Sequence, residues 1–484
     1  MTELLTLDEI RAAEHQASIT LAPHALMERA GNAAAAWITA HYPPPRPVIV
    51  LTGPGNNGGD GWVVARQLLR SGFSTTVITT GHLDPLPEDA ALARRHYLET
   101  GGPIATHWSP QQNPLLIVDA LFGIGLNRAP EGRYAKWIAL LDEVRCPIIS
   151  LDIPSGLNGD TGLAPGLAIH ASHTLTFIAA KAGLYTADGP DHCGIITVLD
   201  LHIPAHGSGM LLAGLELIRA WPQRRRNTHK GQFGSVGILG GARGMTGAAL
   251  LAACAALKCG AGRVWLATLD ETPAAQLATL RQPELMAATP QELLRNDLLT
   301  TLVVGPGMGH SEQATTLLAQ ALALPCKLIL DADALNLIST HPDLVHQVNR
   351  RTAPTILTPH PAEALRLLDG LINSNRVQTA ITLAQRYQSL VVLKGGGSVI
   401  ANPQGNWWIN VTGNAGLSAA GMGDVLAGAI GALAGQGLSP LQALQCAVYA
   451  HGAAADHCVA RGMGPVGLTA SEVTNALRQV LNAR

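Results

Sequence analysis

Aromatic side chains are scarce in this chain, at 4%, and neither sign of charge dominates, the formal net charge being −2 over 484 residues. A near-neutral balance excludes the extended basic footprint of a nucleic-acid or anionic-membrane binder. The one basic cluster, Arg224-Arg225-Arg226 with His229 and Lys230, is too short for that and reads as a solvated linker. No C-x-x-C occurs among the seven cysteines, Cys146, Cys193, Cys254, Cys259, Cys326, Cys446 and Cys458. An odd number without redox or ligand spacing argues against a disulfide framework and predicts a reduced, cytoplasmic setting. The eighteen histidines form no H-E-x-x-H and no zinc spacing, and His451 and His457 read as core or surface residues. Neither a G-x-x-x-x-G-K-[ST] phosphate loop nor a G-x-S-x-G elbow occurs, which disfavours P-loop and serine-hydrolase chemistry. An N-terminus carrying Glu3, Asp8, Glu9 and Arg11 predicts no signal peptide. The longest apolar runs, 248–257 and 425–435, are too short to cross a bilayer, so no membrane partner is expected.

What is abundant is glycine, at 52 residues, and apolar residues, at 47%. Apolar runs of strand length alternate with helical patterns. PVIVL (47–51) meets TGPGNNGGDG and then the helical WVVARQLLRSG; STTVITTG is the next strand. LLIVDALFG (115–123), PIISLDIPSG (147–156) and the segments flanking KAGLY repeat this grammar. A second series starts at SVGILGG (235–241) and continues through TLVVGPGMG, CKLILDADALNLI, TILTPHPAEALRLL and SLVVLKGGGSVIANPQGNWWIN, the last with a hairpin around 403–406. Alternating strands and helices predict an α/β protein with parallel sheets, whose ligands sit at the carboxyl ends of the strands. Composition shifts between Pro204 and Lys230. The expected division is therefore one domain over 1–212, a linker over 213–229 and a second domain over 230–484.

Several polar residues fall just after predicted strands. In NNGGDG, Gly58 and Gly59 allow a backbone to approach a pyrophosphate, and Asp60 offers an acceptor to a ribose hydroxyl; a tight turn with Asp60 as helix cap reads the same residues without a ligand. Asn57, Asp119 and Ser155 bring oxygens to one sheet edge, a set suited to a hard cation rather than zinc, or to ordinary hydrogen bonding. Asp152 is an acid/base candidate, or a turn residue. In the second half, Lys394-Gly395-Gly396-Gly397-Ser398 offers a cation and flexible backbone donors. Thr412 to Gly435 carries Gly421-Met422-Gly423-Asp424 at the start of a small-residue helix, an anion-binding loop with an acid where a substrate hydroxyl could meet a phosphoryl group.

Taken together, TGPGNNGGDG, VDALFGIGL, LDIPSGLNGDTG and KAGLY, followed by HKGQFGSVGILGG, VVGPGMG, LILDADALN, LTPHPAEA, LKGGGSVI and TGNAGLSAAGMGDVLAG, resemble the NAD(P)H-hydrate repair family over nearly the whole chain. The resemblance implies a Rossmann-like three-layer α/β epimerase domain followed by a ribokinase-like α/β dehydratase domain. It implies that the first domain interconverts the epimers of hydrated NADH and NADPH. The second would dehydrate the S form at the expense of ADP or ATP, with Mg2+, releasing AMP and phosphate. By the same resemblance Asn56, Asn57, Gly58, Gly59 and Asp60, the loop Gly123, Ile124, Gly125, Leu126, Asn127, Arg128 and Ala129, and Asp152 hold the hydrate in the epimerase. Asn57, Asp119 and Ser155 match potassium ligands. Ala248, Gly307, His360 and Asp424 match hydrate-binding positions of the dehydratase. Lys394, Gly395, Gly396, Gly397, Ser398 and Gly423 match its AMP site. Asp424 and Asp152 are the implied catalytic residues, and a homo-oligomer such as a tetramer is implied. One departure is Ala419-Ala420 before Gly421, where members often carry two glycines; positive φ at Ala420 is not expected. A ribokinase-like small-molecule kinase with a non-catalytic nucleotide-binding first domain is the alternative.

Overall fold

The computed structural model describes residues 2–80, 86–107, 114–212, 214–219, 221, 224–270, 282–371 and 374–483. They form two compact units, Thr2–Met210 and Leu211–Arg484. Among the described residues no helix is long and apolar enough to cross a membrane.

The first unit is built on a parallel sheet of seven described strands. In space they run Ile104–Ala105, Ser74–Ile78, Pro47–Thr52, Leu116–Ala120, Ile148–Leu151, His173–Phe177, Ile195–Leu199. Chain order reverses between Pro47–Thr52 and Leu116–Ala120, so a crevice opens there at the carboxyl ends. The first of these ends runs into the helix Asn56–Arg70. Ahead of the sheet, the helix Leu7–Thr20 is fixed at its start by a capping box, with Thr6 N donating to Glu9 Oε2 at 2.7 Å and Glu9 N to Thr6 Oγ1 at 3.3 Å. The strand Glu3–Leu5 before it pairs in parallel with Ala180–Lys181.

The second unit repeats the reversal although no sequence repeat is visible. Its strands run Met286–Ala287, Arg263–Thr268, Ser235–Gly240, Thr301–Val304, Lys327–Leu330, Thr355–Leu357, Leu390–Leu393, Val399–Ala401, Trp407–Ile409, and the last two pairings are antiparallel. The expected hairpin is this last pair. The small-residue helix Met422–Gly435 lies against the helix Thr246–Lys258 so closely that a Cβ on Gly428 would collide with the Ala252 carbonyl oxygen. Small residues here exchange side-chain bulk for backbone proximity, and that proximity sets the position of the Gly421–Asp424 turn. Gly421 has φ 86°, which only glycine adopts readily, while Ala420 stays outside that region as expected.

The segment 213–229, expected to be a linker, is packed in part. Ile218 is buried in the core of the second unit, and Arg224 donates to Gln436 Oε1 at 2.7 Å. Its arginines read as solvated in sequence, but Arg224 also stacks over the Phe233 ring with 3.9 Å to the centroid.

Candidate active sites

In the first unit the crevice holds a cavity of about 590 Å³. Asn56, Asn57, Asp60, the run Gly123 to Arg128, and Asp152 line it. Ala129 does not; it packs where a Cβ on Gly166 would lie 2.8 Å from its own. Gly58 and Gly59 are also absent from the wall, which corrects the reading of NNGGDG as a loop. The segment is the first turn and a half of the Asn56–Arg70 helix, capped by Gly55 rather than Asp60. A Cβ on Gly58 would collide with the Gly53 carbonyl oxygen, and one on Gly61 would sit 2.6 Å from the Ala120 methyl. These glycines seat the helix on the strand ends; they lend no φ freedom. Asp60 faces the cavity with its carboxyl well above the usual range, through burial and then the nearby carboxylates of Asp152, Glu14 and Asp89.

Beneath the cavity Asp119 is fully buried. Its Oδ1 accepts from Ser155 Oγ at 2.6 Å, and its Oδ2 from Ser150 Oγ at 2.7 Å and Ser155 N at 2.9 Å. Burial raises its pKa, opposed by these donors, Ser155 foremost. The Asn57 amide, whose oxygen would stand 3.5 Å from a Cβ on Gly123, is buried, with neither its oxygen nor its nitrogen hydrogen-bonded among the described residues. Asp119 Oδ1 also accepts from Leu121 N at 3.2 Å and Ser155 Oγ from Phe122 N at 2.9 Å, so the open oxygen valence at this strand end belongs to the Asn57 amide.

Asp152 follows the strand Ile148–Leu151 with φ 65°, a conformation that turns its side chain back toward the sheet end. Its Oδ1 accepts from Lys181 Nζ at 2.6 Å and from Phe177 N at 3.2 Å. Lys181 is 1% exposed. It also donates to Thr176 Oγ1 at 2.9 Å and Phe177 O at 2.8 Å. Asp152 Oδ2 receives no donor from the described residues. Lys181 had no assigned role in the sequence beyond membership of KAGLY; a lysine in an otherwise apolar strand-end segment was the available signal.

In the second unit four strand ends and one helix start converge. Asp331 follows Lys327–Leu330, Thr358 to His360 follow Thr355–Leu357, Lys394 follows Leu390–Leu393, and Gly307 follows Thr301–Val304. Lys394 Nζ donates to Asp331 Oδ1 at 2.8 Å and lies 3.9 Å from Glu363 Oε2; Thr358 Oγ1 donates to the same Asp331 oxygen at 2.6 Å. Burial opposes the charge on Lys394, but Asp331, Glu363 and Asp424 outweigh it and raise its pKa. A Cβ on Gly423 would stand 3.3 Å from Lys394 Nζ and 3.8 Å from Asp331 Oδ2, so only glycine fits there comfortably. The ammonium expected to serve the nucleotide thus lies under the Gly421–Asp424 turn, within the acid cluster. Asp424, the third residue of its helix, is pushed up to about 7 by burial and by Asp331, with Lys394 opposing.

His360 caps the helix Pro361–Leu367, its Nδ1 accepting from Ala362 N at 3.1 Å, with Nε2 at 3.2 Å from Glu363 Oε1. Burial, then the Lys394 charge, lowers its pKa. Gly307 has φ 58°, and a Cβ there would approach the Ala248 methyl to 3.1 Å. Gly309 N donates to Asp333 Oδ2 at 2.8 Å, tying that loop to the acid cluster. Gly395 and Gly397 take φ 143° and 60°, with Gly395 N donating to Ser398 Oγ at 3.3 Å and Gly396 exposed. His451 is buried near Lys394, its pKa lowered to about 4 by burial. The structure therefore gathers His360, Lys394, Gly423 and Asp424 around one charge network, with Ala248 and Gly307 at the strand-order reversal.

Residues 236–478 match the family model described as NAD(P)H-hydrate dehydratase, and residues 23–183 that described as YjeF-related protein N-terminus. The bifunctional NAD(P)H-hydrate repair enzyme Nnr of Escherichia coli (strain K12) is 41% identical over 98% of this chain and 93% of its own. The chain belongs to the bifunctional NAD(P)H-hydrate repair enzyme family. A second relative in this family, from Coxiella burnetii, is 37% identical over 100% of both chains. Among solved structures, a ribokinase-like superfamily protein from Enterococcus faecalis V583 is 25% identical, with a TM-score of 0.51, covering 57% of this chain and 95% of that one. The ribokinase-like fold expected of the second domain is borne out by this neighbour, and the candidate sites of both units lie at the carboxyl ends of their parallel strands.

Proposed function

We propose that this chain repairs hydrated NADH and NADPH. The first domain interconverts the R and S hydrates, and the second dehydrates the S form using ADP or ATP supplied as its Mg2+ complex. The observation that carries the reading is Asp424 at the glycine start of a 14-residue helix, beside Gly423, which packs over Lys394 and Asp331; burial pushes its carboxyl up to about 7. Its carboxylate takes the proton from the C6 hydroxyl. The freed oxygen attacks the terminal phosphoryl group, and the amides of the Gly421–Asp424 turn face the developing charge. Phosphate then leaves from C6, pushed by the N1 lone pair, and loss of the C5 proton restores the dihydronicotinamide. Ala248, Gly307 and His360 flank the hydrate; Lys394 to Ser398 and Gly423 hold the AMP portion. In this reading Lys394 acts on the phosphates from within its contact with Asp331, offsetting negative charge that carboxylates and phosphates would otherwise pile up.

The test is incubation of the full chain with mixed hydrates and Mg·ADP or Mg·ATP, following the near-ultraviolet absorbance of the reduced nicotinamide. Full recovery with release of phosphate is expected. A stable phosphorylated product would instead make the chain a small-molecule kinase. Because Asp424 must be deprotonated to act and titrates at about 7, dehydratase kcat/KM rises with pH through that value. At one pH unit below it, the rate should fall to roughly a tenth of its plateau.

Asn57 Oδ1, Asp119 and Ser155 Oγ would hold a potassium ion in the first domain. The unpaired Asn57 amide and the all-oxygen set fit that ion. Its charge would fix the 121–123 turn against the Asn56–Arg70 helix and draw the substrate's anionic groups. Replacing K+ by a bulky organic cation should lower the melting temperature of wild-type chain but leave that of Asn57→Leu unchanged, read by calorimetry. Cytoplasmic residence and a homo-oligomeric state complete the proposal.

A further inference from the structure

We propose that Glu14 is the second proton-transfer group of the epimerase cavity, acting with Asp152 as the hydrate's ring opens and recloses. The inference rests on the reading of the first domain as a hydrate epimerase. Its starting point is helix register. Leu7, Ile10 and Ala17 form the buried stripe of the helix Leu7–Thr20. Position 14 is four after Ile10 and three before Ala17, so it belongs to that same stripe, where an apolar residue would be expected. A glutamate stands there instead, half-buried, and it lines the cavity shared by Asp152 and Lys181.

The helix that carries this side chain is anchored at its start. Its capping box fixes the start, Leu7 N donates to Asp160 Oδ1 at 2.9 Å, and the preceding strand places Leu5 opposite Lys181. Among the described residues Glu14 makes no hydrogen bond or ion pair. A half-buried carboxyl without a partner costs stability and gives none back through the fold. The groups that face it are Asp152 and Lys181 across the cavity and Arg11 on its own helix. Asp60 and Arg128 line the same cavity from other elements. Burial, then the Asp152 charge, raises the Glu14 pKa, so it holds a proton more readily than an ordinary glutamate.

The chemistry asks for such a pair. C6 of the hydrate carries a hydroxyl and a ring nitrogen. A base removes the hydroxyl proton, the C6–oxygen bond becomes a carbonyl, and the C6–N1 bond breaks. The electron pair goes to N1, which takes a proton from an acid. Rotation offers the other face of the aldehyde, N1 re-attacks and returns its proton, and the oxygen takes back the first one. No oxidant or reductant enters. Two groups of opposite protonation state are required. Asp152, the carboxylate of the Lys181 ion pair, is the base, and Glu14 is the acid.

The experiment uses the full-length chain and resolved R hydrate. Glu14→Gln should lower epimerase kcat by about 10²-fold or more. KM should stay within about threefold, and dehydration of S hydrate with Mg·ADP should be unchanged. Glu14→Asp, which keeps the carboxyl one methylene short, should retain part of the lost rate at the melting temperature of the Gln variant. A Gln variant within twofold of wild type overturns the inference. So do equal losses in the Gln and Asp variants, since these would mark a packing role. If wild type itself fails to interconvert the hydrates, the epimerase reading falls and the Glu14 assignment with it, a result distinct from an active wild type with an active Gln variant.

Discussion

Asp424→Asn should all but abolish dehydration of the S hydrate while leaving epimerisation at the wild-type rate. The substitution keeps shape and removes the negative charge together with the ability to accept a proton. If Asp424 merely supplied negative charge near a helix N-terminus, the loss would be worth about 0.3–1 kcal/mol, under roughly sixfold. As the general base it should cost about 10²–10⁴-fold in kcat, with hydrate binding altered by only a few fold. Neutralising it relieves its repulsion by Asp331 and Asp333 and gives up its attraction to Lys394, and these opposing changes should leave folding little altered. Melting temperature and nucleotide binding of the variant should therefore match wild type. A loss below tenfold would move the base to another carboxyl of the cluster, of which Glu363 is pushed up to about 6 by burial.

Fold class was legible because each strand run ends in its own polar signature, and the alternation leaves a parallel sheet as the economical arrangement. The site was legible only where one segment carries its own geometry. Gly421 to Asp424 is such a segment: a left-handed glycine and a helix start are both local properties. NNGGDG was not, because a glycine that permits a turn and one that seats a helix against a strand have the same letter. Gly58 is needed for what stands opposite it, the Gly53 carbonyl, and that contact exists only after the helix has docked. Partner choice was hidden for the same reason. Lys394 meets Asp331 and Thr358 because the Thr355–Leu357 strand lies beside Lys327–Leu330 on one side and Leu390–Leu393 on the other. Nothing in LKGGGS states that order. Glu14 shows a third kind of concealment: in an amphipathic helix a glutamate is read as solvent-facing, and only its register with Ile10 and Ala17 says otherwise.

The second large effect should come from Lys181. Lys181→Met removes the ammonium from beside Asp152, which is 8% exposed and is then left with Phe177 N as its remaining donor among the described residues. Breaking a buried ion pair on one side costs about 3–5 kcal/mol, because the surviving charge is stranded. The first domain should therefore unfold at markedly lower urea, and epimerisation should collapse. Asp152→Asn strands the other partner, but Lys181 keeps Thr176 Oγ1 and Phe177 O, so this variant should be the more stable of the two while losing epimerase turnover by about 10²-fold. The double variant Lys181→Met with Asp152→Asn holds no charge at the pair. It should recover most of the urea resistance lost by Lys181→Met and none of the turnover. Stability and activity would then separate across three variants at one pair. If instead the double variant regains epimerase activity, the pair is structural and the base of the first domain lies on another element of the cavity.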